Sequence, residues 1–399
     1  MAIDNKDKKV LNVPHLRFPE FSGEWKKCKL GDLCNVLMCK RILVSQTNTE
    51  DGVPFYKIGT IGSTPDAYIS KELFDDYKVK YNYPRKGEVM ITCAGTVGKC
   101  VVYDGEDAYF QDSNIVWIDN PTQYISNGFL FHLLSKVDWR KLNSTTIIRI
   151  YNDDLRNLKM SYPRKEEQQK ISHLLSLLDE RIATQNKIIE DLKKLKSAII
   201  EKTFNENYSN KIRLRDVGSY IRGLTYSSDD VVESNGIFVM RSNNIINGSS
   251  LDYHNNIVSV NKQILTEQQL QTGDIVICMA NGSSSLVGKS SFYDGDCSTP
   301  ITVGAFCGIY RSKEPIVKWL FQTNKYRRYI WNSLQGGNGA IANLNGDDIL
   351  RMSFSIPATP AKDNRIKLLT SVDTLLESNI SLCDLYISQK LYLLRQMFI

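Results

Sequence analysis

The segment from Lys165 to Phe204 constrains the fold more than any other stretch, because it contains neither glycine nor proline. Apolar residues recur in it every seven positions, and charged residues cover most of the remaining surface. This pattern predicts a long amphipathic helix whose single apolar stripe must be buried against a partner helix. At ~1.5 Å per residue, roughly 40 residues make a rod of about 60 Å. We expect a rod of that length inside a globular chain to act as a spacer.

The chain also contains a long internal repeat. Lys29–Leu33 resembles Arg213–Val217, and the turn at Val97–Lys99 resembles the turn at Val287–Lys289. A second long amphipathic stretch runs from about Ala361 to Ile399 and matches the first helix in length. Each repeat is thus a globular domain followed by a helix. The two helices are natural partners, and the simplest arrangement is antiparallel.

Both globular segments contain short runs of β-branched and aromatic residues separated by turn residues, which predicts strands. One helix is predicted around residues 125–140 and another around residues 315–333. The expected fold class is α+β. The expected order is an N-terminal arm at 1–28, a first domain at 29–163, a central helix at 164–206, a second domain at 207–357 and a C-terminal helix at 358–399.

The seam between the two helices is expected to carry one polar position. Gln185 and Asn379 occupy the same place in the two copies, near the middle of each helix. A polar pair at a buried seam position fixes register at some cost in stability. The alternative is two unrelated exposed amides. The predicted seam and partner-interface residues are Ile171, Leu178, Gln185, Leu192, Ile199, Val372, Asn379, Tyr386 and Leu393.

Composition narrows the class of protein. The formal net charge of +6 favours a polyanionic partner without requiring one. The nine cysteines form no C-x-x-C pair and lack histidines at zinc-finger spacing, which indicates reduced thiols and no metal site. No apolar run reaches the ~18 residues of a membrane span, and the N-terminus lacks the pattern of a signal peptide. We therefore expect a cytoplasmic protein with no membrane partner.

No catalytic motif is complete. Gly282–Ser290 resembles a phosphate-binding loop, but five residues separate its glycines where four are required. Asp119–Thr122 resembles the amino-methyltransferase signature without its second proline and aromatic residue. The acidic pairs Asp153–Asp154 and Asp347–Asp348 are expected to cap local structure. The chain is therefore predicted not to be an enzyme.

Polar and basic residues in the loops of both domains suggest a DNA-binding surface, because such side chains contact phosphates and base edges. For any single one of them a solvated turn is the favoured explanation, so the interpretation depends on their number in two domains held by a spacer. The loops Asn143–Arg149 and Gln335–Asn338 carry the same residue types. The candidate DNA-binding residues are Lys57, Thr60, Thr96, Lys99, Arg149, Tyr151, Asn152, Arg241, Asn243, Asn244, Asn281, Ser283, Ser284, Lys289, Arg327 and Arg328.

Several motifs make the chain resemble the specificity subunit of a type I restriction-modification system. The resemblance covers nearly the whole chain, and the Glu-Glu-Gln-Gln-Lys-Ile opening of the first helix is its most specific part. The matching segments are Leu16–Phe21 and Gly23–Trp25 ahead of Lys29–Leu33, then Gly95–Lys99, Asn152–Leu155, Glu166–Ile171 and Leu177–Ile182.

The resemblance implies a fold and a function. In that family two target-recognition domains of mixed α/β character alternate with two long helices that pair as an antiparallel coiled coil. Each domain would read one half of a split, asymmetric site in double-stranded DNA, and the coiled coil would set the spacer. The chain itself would bind no cofactor. Two methylase subunits docked on it would carry S-adenosylmethionine and methylate adenine at N6, and restriction subunits held through them would use ATP and Mg.

The second helix departs from the family pattern. It opens with Ala358–Arg365, which lacks the Glu-Gln-Gln box, and it places Tyr386 and Gln389 in its seam. Docking of a second methylase subunit at that end is thus the weaker expectation. Two alternatives remain open, namely an NTPase that uses the near-miss loop with Lys289, and a tandem protein-interaction scaffold with no role in DNA binding.

Overall fold

A computed structural model describes residues 11–141, 149–206, 208–295, 297, 299–334 and 342–399. The chain forms two compact units, of which the first combines residues up to Asn186 with Ser381–Ile399 and the second is Lys187–Ile380. Each long helix therefore contributes one segment to each unit. The start of the N-terminal arm, residues 143–148 of the first polar loop and the polar loop Gln335–Asn338 lie outside the described residues.

Among its described residues the first unit is built from short strands, three short helices and one segment of each long helix. The strands are β1 (Lys26–Lys29), β2 (Asn35–Leu37), β3 (Thr47–Asn48), β4 (Val53–Tyr56), β5 (Tyr68–Ile69), β6 (Val89–Thr92), β7 (Cys100–Val102), β8 (Tyr109–Phe110), β9 (Ile115–Asp119) and β10 (Lys159–Tyr162). The short helices are α1 (Lys71–Lys80), α2 (Asn127–Lys136) and α3 (Asn152–Arg156), and the two long segments are the first part of α4 (Lys165–Phe204) and the last part of α9 (Ala361–Gln396).

The second unit repeats this plan. Its strands are β11 (Lys211–Arg213), β12 (Gly218–Arg222), β13 (Val231–Val232), β14 (Ile237–Met240), β15 (Val258–Val260), β16 (Ile275–Cys278), β17 (Ala280–Asn281), β18 (Ser290–Phe292), β19 (Ile301–Val303), β20 (Cys307–Ser312), β21 (Ala342–Asn343) and β22 (Ser353–Ser355). Its helices are α5 (Leu214–Val217), α6 (Val317–Leu320), α7 (Asn324–Leu334) and α8 (Gly346–Leu350), together with the last part of α4 and the first part of α9.

The sheet topology confirms the internal repeat. In the first unit one antiparallel sheet has the order β2-β9-β6-β7 and the other has the order β3-β5-β4-β8, with β4 and β8 parallel. The second unit contains β12-β20-β16-β18 and β13-β15-β14-β19, with β14 and β19 parallel. An antiparallel ribbon closes each unit, β1-β10 in the first and β11-β22 in the second. The two domains therefore share one α/β scaffold.

The two long helices pair in antiparallel fashion inside each unit. In the first unit Lys390 on α9 contacts Asp179 on α4, and Cys383 lies 3.5 Å from the amide oxygen of Asn186. In the second unit Lys196 on α4 donates to Asp373 on α9 at 2.6 Å. From the first contact to the second, the residue numbers increase along α4 and decrease along α9, as in an antiparallel pair. The predicted fold class, with paired helices alternating with α/β domains, is thus confirmed.

The predicted seam positions are all at least half-buried. Ile171, Leu178, Gln185 and Val372 are buried, and Leu192, Ile199, Asn379, Tyr386 and Leu393 are partly buried. The proposed pairing of Gln185 with Asn379 stays a prediction. The helix ends also enter the domain cores. Phe398 packs against Phe129 with ring centroids 4.8 Å apart, and its repeat counterpart Phe204 joins the core of the second unit.

The Glu-Gln box at the start of α4 anchors the N-terminal arm. The Arg17 guanidinium binds both carboxylate oxygens of Glu167 at 2.7 Å, and Glu167 is fully buried. The Gln168 amide donates to the carbonyls of Tyr124 and Pro163, each at 2.9 Å. These bonds tie the arm and the loop before α2 to the first turn of α4. The motif is therefore explained by local architecture.

Two sequence predictions of secondary structure need correction. Helix α1 was not predicted, because its sequence is largely polar and Phe74 is its one fully buried residue. The predicted helix around residues 315–333 is two helices, α6 and α7, separated at Phe321–Thr323. The Thr323 hydroxyl accepts from the N–H of Tyr326 at 3.1 Å, as a helix N-cap does, and so starts α7 afresh.

Candidate nucleic-acid interface

In the first unit two neighbouring loops carry four of the candidate residues. The Thr96 hydroxyl donates to the carbonyl of Ile58 at 3.2 Å. The Lys99 ammonium donates to the carbonyl of Ile61. These two bonds fasten the loop after β4 to the loop between β6 and β7. An ammonium has three donors, so Lys99 keeps hydrogen-bonding capacity for a phosphate after this contact.

Lys57 and Thr60 lie on the first of these loops. The Thr60 hydroxyl accepts from the backbone N–H of Lys57 at 3.0 Å, so it helps to hold the turn. The Lys57 ammonium lies 2.8 Å from the Asp66 carboxylate, with side chains 39% and 58% exposed. Exposed ion pairs contribute about 0–1 kcal/mol. Lys57 could therefore exchange Asp66 for a DNA phosphate at little cost.

The repeated Val-Gly-Lys turn has a steric origin. Gly98 has a φ of +83°, and a Cβ on it would lie 2.2 Å from the Trp139 ring. Gly288 has a φ of +80°, and a Cβ there would lie 2.7 Å from the Ile330 side chain. Only glycine fits both the left-handed backbone and the close approach. The turn presents the following lysine, Lys99 or Lys289, at the same place in each domain.

Arg149, Tyr151 and Asn152 extend this surface. The N–H of Ile150 donates to the carbonyl of Cys93 at 2.9 Å, which places this segment beside the loop that carries Thr96. The Arg149 guanidinium lies 5.9 Å from the centre of the Tyr151 ring. Tyr151 is 61% exposed, and Asn152 is the half-buried first residue of α3. The structure thus brings the candidates of the first domain together.

In the second unit the turn after β14 requires a correction. Arg241 and Asn243 are exposed, as predicted for DNA-binding residues. Asn244 is fully buried, and its amide donates to the carbonyls of Asp252 at 2.9 Å and Asn255 at 2.7 Å. Its side-chain oxygen accepts from the N–H of Arg241 at 2.9 Å. Asn244 therefore holds the loop together, and the prediction that it contacts DNA is wrong for this conformation.

The loop after β17 lies against that turn. The Asn281 amide donates to the Ser242 hydroxyl at 3.3 Å, and its oxygen accepts from the N–H of Ser283 at 3.0 Å. The hydroxyls of Ser283 and Ser285 lie 2.8 Å apart. Ser283 and its neighbour Ser284 are exposed. The Asn281 side chain thus links two loops whose exposed hydroxyls face solvent.

Lys289 and Arg327 line a cavity of about 360 Å³ together with Ser284 and the exposed Trp331. Arg328 is exposed on the same helix, α7. Burial lowers the pKa of the neighbouring Lys325, and the nearby positive charges lower it further. This part of the second domain therefore concentrates positive charge beside hydroxyl groups.

The geometry argues against the NTPase alternative. A phosphate-binding loop leads from a strand into a helix whose N-terminus faces the phosphates. Here the loop contains a short 3-10 turn at Ser284–Leu286, and Lys289 leads directly into strand β18.

Among the described residues no three His, Cys, Asp or Glu side chains are grouped to hold a metal ion. The acidic pairs cap short helices as expected, since Tyr151 N–H donates to Asp154 at 2.7 Å.

The cysteines of the described chain are all unpaired thiols. Burial raises the pKa of Cys93 to about 11 and that of Cys34 to about 12. Both are therefore protonated at neutral pH and poor nucleophiles. No helix in the described ranges has both the length and the apolarity that crossing a membrane requires.

Sequence reasoning missed a pair of equivalent cavities. In the first domain a cavity of about 360 Å³ is lined by Arg41, Val44 and Lys57, and Val44 is 89% exposed. In the second domain a cavity of about 380 Å³ is lined by Arg241 and by Phe306, which is 66% exposed. Apolar residues between strands gave no sequence signal of exposure, because such residues are usually buried.

Comparison with known proteins shows what part of this chain is similar to. Residues 22–194 match the model of the type I restriction modification DNA specificity domain. A type I restriction enzyme specificity subunit from Haemophilus influenzae is 46% identical over 184 residues, which cover 46% of this chain and 45% of that protein. The EcoKI specificity subunit from Escherichia coli is 34% identical over 173 residues, covering 40% of this chain and 34% of that protein. The aligned segments span less than half of these relatives.

The solved structures extend the likeness of the fold to the whole chain. The S subunit of a type I restriction-modification system from M. genitalium superimposes with a TM-score of 0.60 at 15% sequence identity. That match covers 97% of this chain and 99% of the other. Residues 22–194 are therefore similar to the type I restriction modification DNA specificity domain, and the fold of the whole chain is similar to that of a type I S subunit.

Proposed function

We propose that this chain is the DNA-reading subunit of a type I restriction-modification complex in the cytoplasm and has no catalytic activity of its own. Each α/β domain reads one half of a split, asymmetric site in double-stranded DNA. The observation that carries the proposal is the repetition of one loop cluster on one scaffold. In both domains the loop after the parallel strand, β4 or β14, lies beside the loop that ends in Val-Gly-Lys.

The charges and hydrogen bonds of these clusters suit DNA. Lysines at the equivalent positions 99 and 289 offer ammonium groups to phosphates, which would make the affinity salt-dependent. Asn243 and Arg241 present side chains of the kind that read base edges in the major groove. Phosphate contacts would position the domains, and base contacts would specify the sequence.

The paired helices would set the spacer and dock the methylase. A helix pair has a length fixed by its residue count, at ~1.5 Å per residue. Leu382, Leu385 and Leu391 of α9 remain 39%, 66% and 48% exposed although the helix is already paired through Cys383. We propose that methylase subunits, which would supply S-adenosylmethionine, dock on the helices. Restriction subunits, using ATP and Mg, would join through them.

Long-read methylation sequencing tests the proposal. Cells would express this chain together with a matching methylase subunit, and control cells would express the methylase alone. We expect a bipartite motif with one N6-methylated adenine in each half, present only when this chain is expressed. If no new motif is found and the purified complex binds no duplex in preference to random DNA, the chain is not a sequence reader, and the protein-scaffold alternative gains.

A further inference from the structure

Phe306 occupies the tip of the turn between β19 and β20 and is 66% exposed. The turn that holds it is rigid. The carbonyl of Phe306 accepts from the N–H of Met279 at 2.8 Å and of Ala280 at 3.1 Å, and Gly304 donates to the carbonyl of Met240 at 2.8 Å. The side chain therefore projects from a fixed backbone, and its exposure is a property of the fold.

The surroundings of Phe306 are those of the proposed DNA surface. Arg241 and Ser242 line the same cavity, and Tyr226 forms another part of its wall. The Asn281 side chain bonds to Ser242, so the loop after β17 lies beside it. An exposed aromatic ring on a hydrogen-bonded turn thus stands among groups of the kind that recognise phosphates and bases.

Contact with an apolar partner would stabilise the exposed ring. Leaving a phenylalanine side chain in water forgoes the free energy that burial would return. On a DNA duplex the major groove offers one apolar group on a base edge, the C5-methyl of thymine, and phenylalanine is among the side chains that contact it. Neighbouring arginine and asparagine side chains also read the major groove, through guanine and adenine. A thymine methyl is therefore the group on DNA that best matches Phe306.

The first domain carries a different side chain at the equivalent place. There the carbonyl of Asn114 accepts from the N–H of Cys93 at 2.7 Å, as the carbonyl of Phe306 accepts from Met279. The backbone bond is the same, but an amide replaces the aromatic ring. Amides pair with adenine edges rather than with methyl groups. The two domains thus present different base-reading chemistry on one scaffold.

We propose that Phe306 reads the methyl group of a thymine in the half-site bound by the second domain. This inference rests on the proposed function, since it requires that the domain binds DNA in its major groove. It assigns to that half-site at least one A·T pair whose methyl group, and not only its hydrogen-bonding edge, determines affinity.

The test removes the methyl from DNA and the ring from the protein. The chain, assembled with its methylase, would bind duplexes of its own bipartite site in which each thymine of that half-site is replaced in turn by deoxyuridine. This change deletes one methyl group and keeps base pairing. We expect one position at which the wild-type affinity falls about fourfold, the equivalent of one buried methyl group. In Phe306→Ala the affinities of the thymine and deoxyuridine duplexes should be equal at that position.

Two controls isolate the effect. Tyr124→Ala removes an aromatic ring that is 63% exposed in the first unit, and it should leave the preference for thymine unchanged. Circular dichroism and methylation of the first half-site report whether Phe306→Ala folds and assembles. The inference is overturned if wild type tolerates deoxyuridine at every position or if Phe306→Ala keeps the preference. Absence of specific binding to any duplex would instead overturn the proposed function, and this inference with it.

Discussion

Removing the charge of Asp373 should loosen the helix pair of the second unit. The Asp373 carboxylate is 5% exposed and accepts from Lys196 at 2.6 Å and from Lys318 at 2.7 Å. The Lys196 side chain is 7% exposed, and burial lowers its pKa. Asp373→Asn keeps the shape of the side chain but leaves the buried Lys196 ammonium without its counter-charge.

The magnitude follows from which groups can reach water. Removing one partner of a buried ion pair costs about 3–5 kcal/mol. Lys196 keeps a 2.8 Å bond to the carbonyl of Gly248, and the Lys318 side chain, 29% exposed, can turn to solvent. We therefore expect the lower end, about 3 kcal/mol, which is roughly a 150-fold increase in the local opening equilibrium.

Hydrogen exchange measured by mass spectrometry reports this local opening equilibrium directly. Peptides that cover residues 190–200 and 367–378 should exchange about 150-fold faster in Asp373→Asn than in wild type under conditions where exchange follows opening equilibria. The matched control is Asp179→Asn, at the equivalent repeat position. Asp179 is 35% exposed and pairs with Lys390, 19% exposed, so water compensates and the loss should be about 1 kcal/mol or less.

A double variant decides whether charge is the cause. Adding Lys196→Met to Asp373→Leu replaces the pair by apolar side chains, a change that is often neutral or stabilising. Protection should return to near the wild-type level. The explanation fails if the double variant exchanges as fast as Asp373→Asn. It also fails if Asp373→Asn and Asp179→Asn lose the same small amount of protection. In either case the uncompensated buried charge is not what loosens the helix pair in Asp373→Asn.

Three further predictions concern acid stability, turn sterics and the spacer. Burial lowers the pKa of His132 from 6.5 to about 4, so the folded state binds fewer protons than the unfolded state between these values and loses stability as pH falls through them. Urea unfolding should show that this group contributes a loss of about 1.5 kcal/mol between pH 6.5 and 5, and the loss in His132→Gln should be smaller by that amount. Gly98→Ala should lower the free energy of unfolding by about 3 kcal/mol, because of left-handed strain and overlap with Trp139. Gly23→Ala has the same φ of +83° and no atom within 4 Å, so it should lose only the strain of about 1 kcal/mol. Equal losses of stability in thermal unfolding would contradict the overlap at Gly98. Deleting one heptad from each helix, residues 182–188 and 381–387, should shorten the gap in the methylated motif by about three base pairs, because about 10 Å of rod is removed; an unchanged gap would refute the role of the helices as a spacer.

The amino-acid sequence by itself determined the long helices, the internal repeat and most strands. Each of these is a local property. A heptad pattern of apolar residues without glycine or proline, as in Lys165–Phe204, forms one long helix that packs against a partner helix. The Val-Gly-Lys turns at residues 97–99 and 287–289 marked equivalent positions, because only glycine fits their left-handed backbone and the close approach of a neighbouring side chain. The candidate loops of the first domain were picked out from the sequence, and hydrogen bonds hold them beside one another; that their residues contact DNA stays a prediction.

Only the tertiary structure decided which side chains are available. Asn243 and Asn244 look alike in the sequence, yet the first is exposed and the second is buried by bonds to residues 252 and 255. Phe306 looks like a core residue and is exposed. The ion pairs that tie α4 to α9 join residues 177 and 211 positions apart. Burial and pairing depend on neighbours brought from distant segments, and a local pattern carries no information about those neighbours.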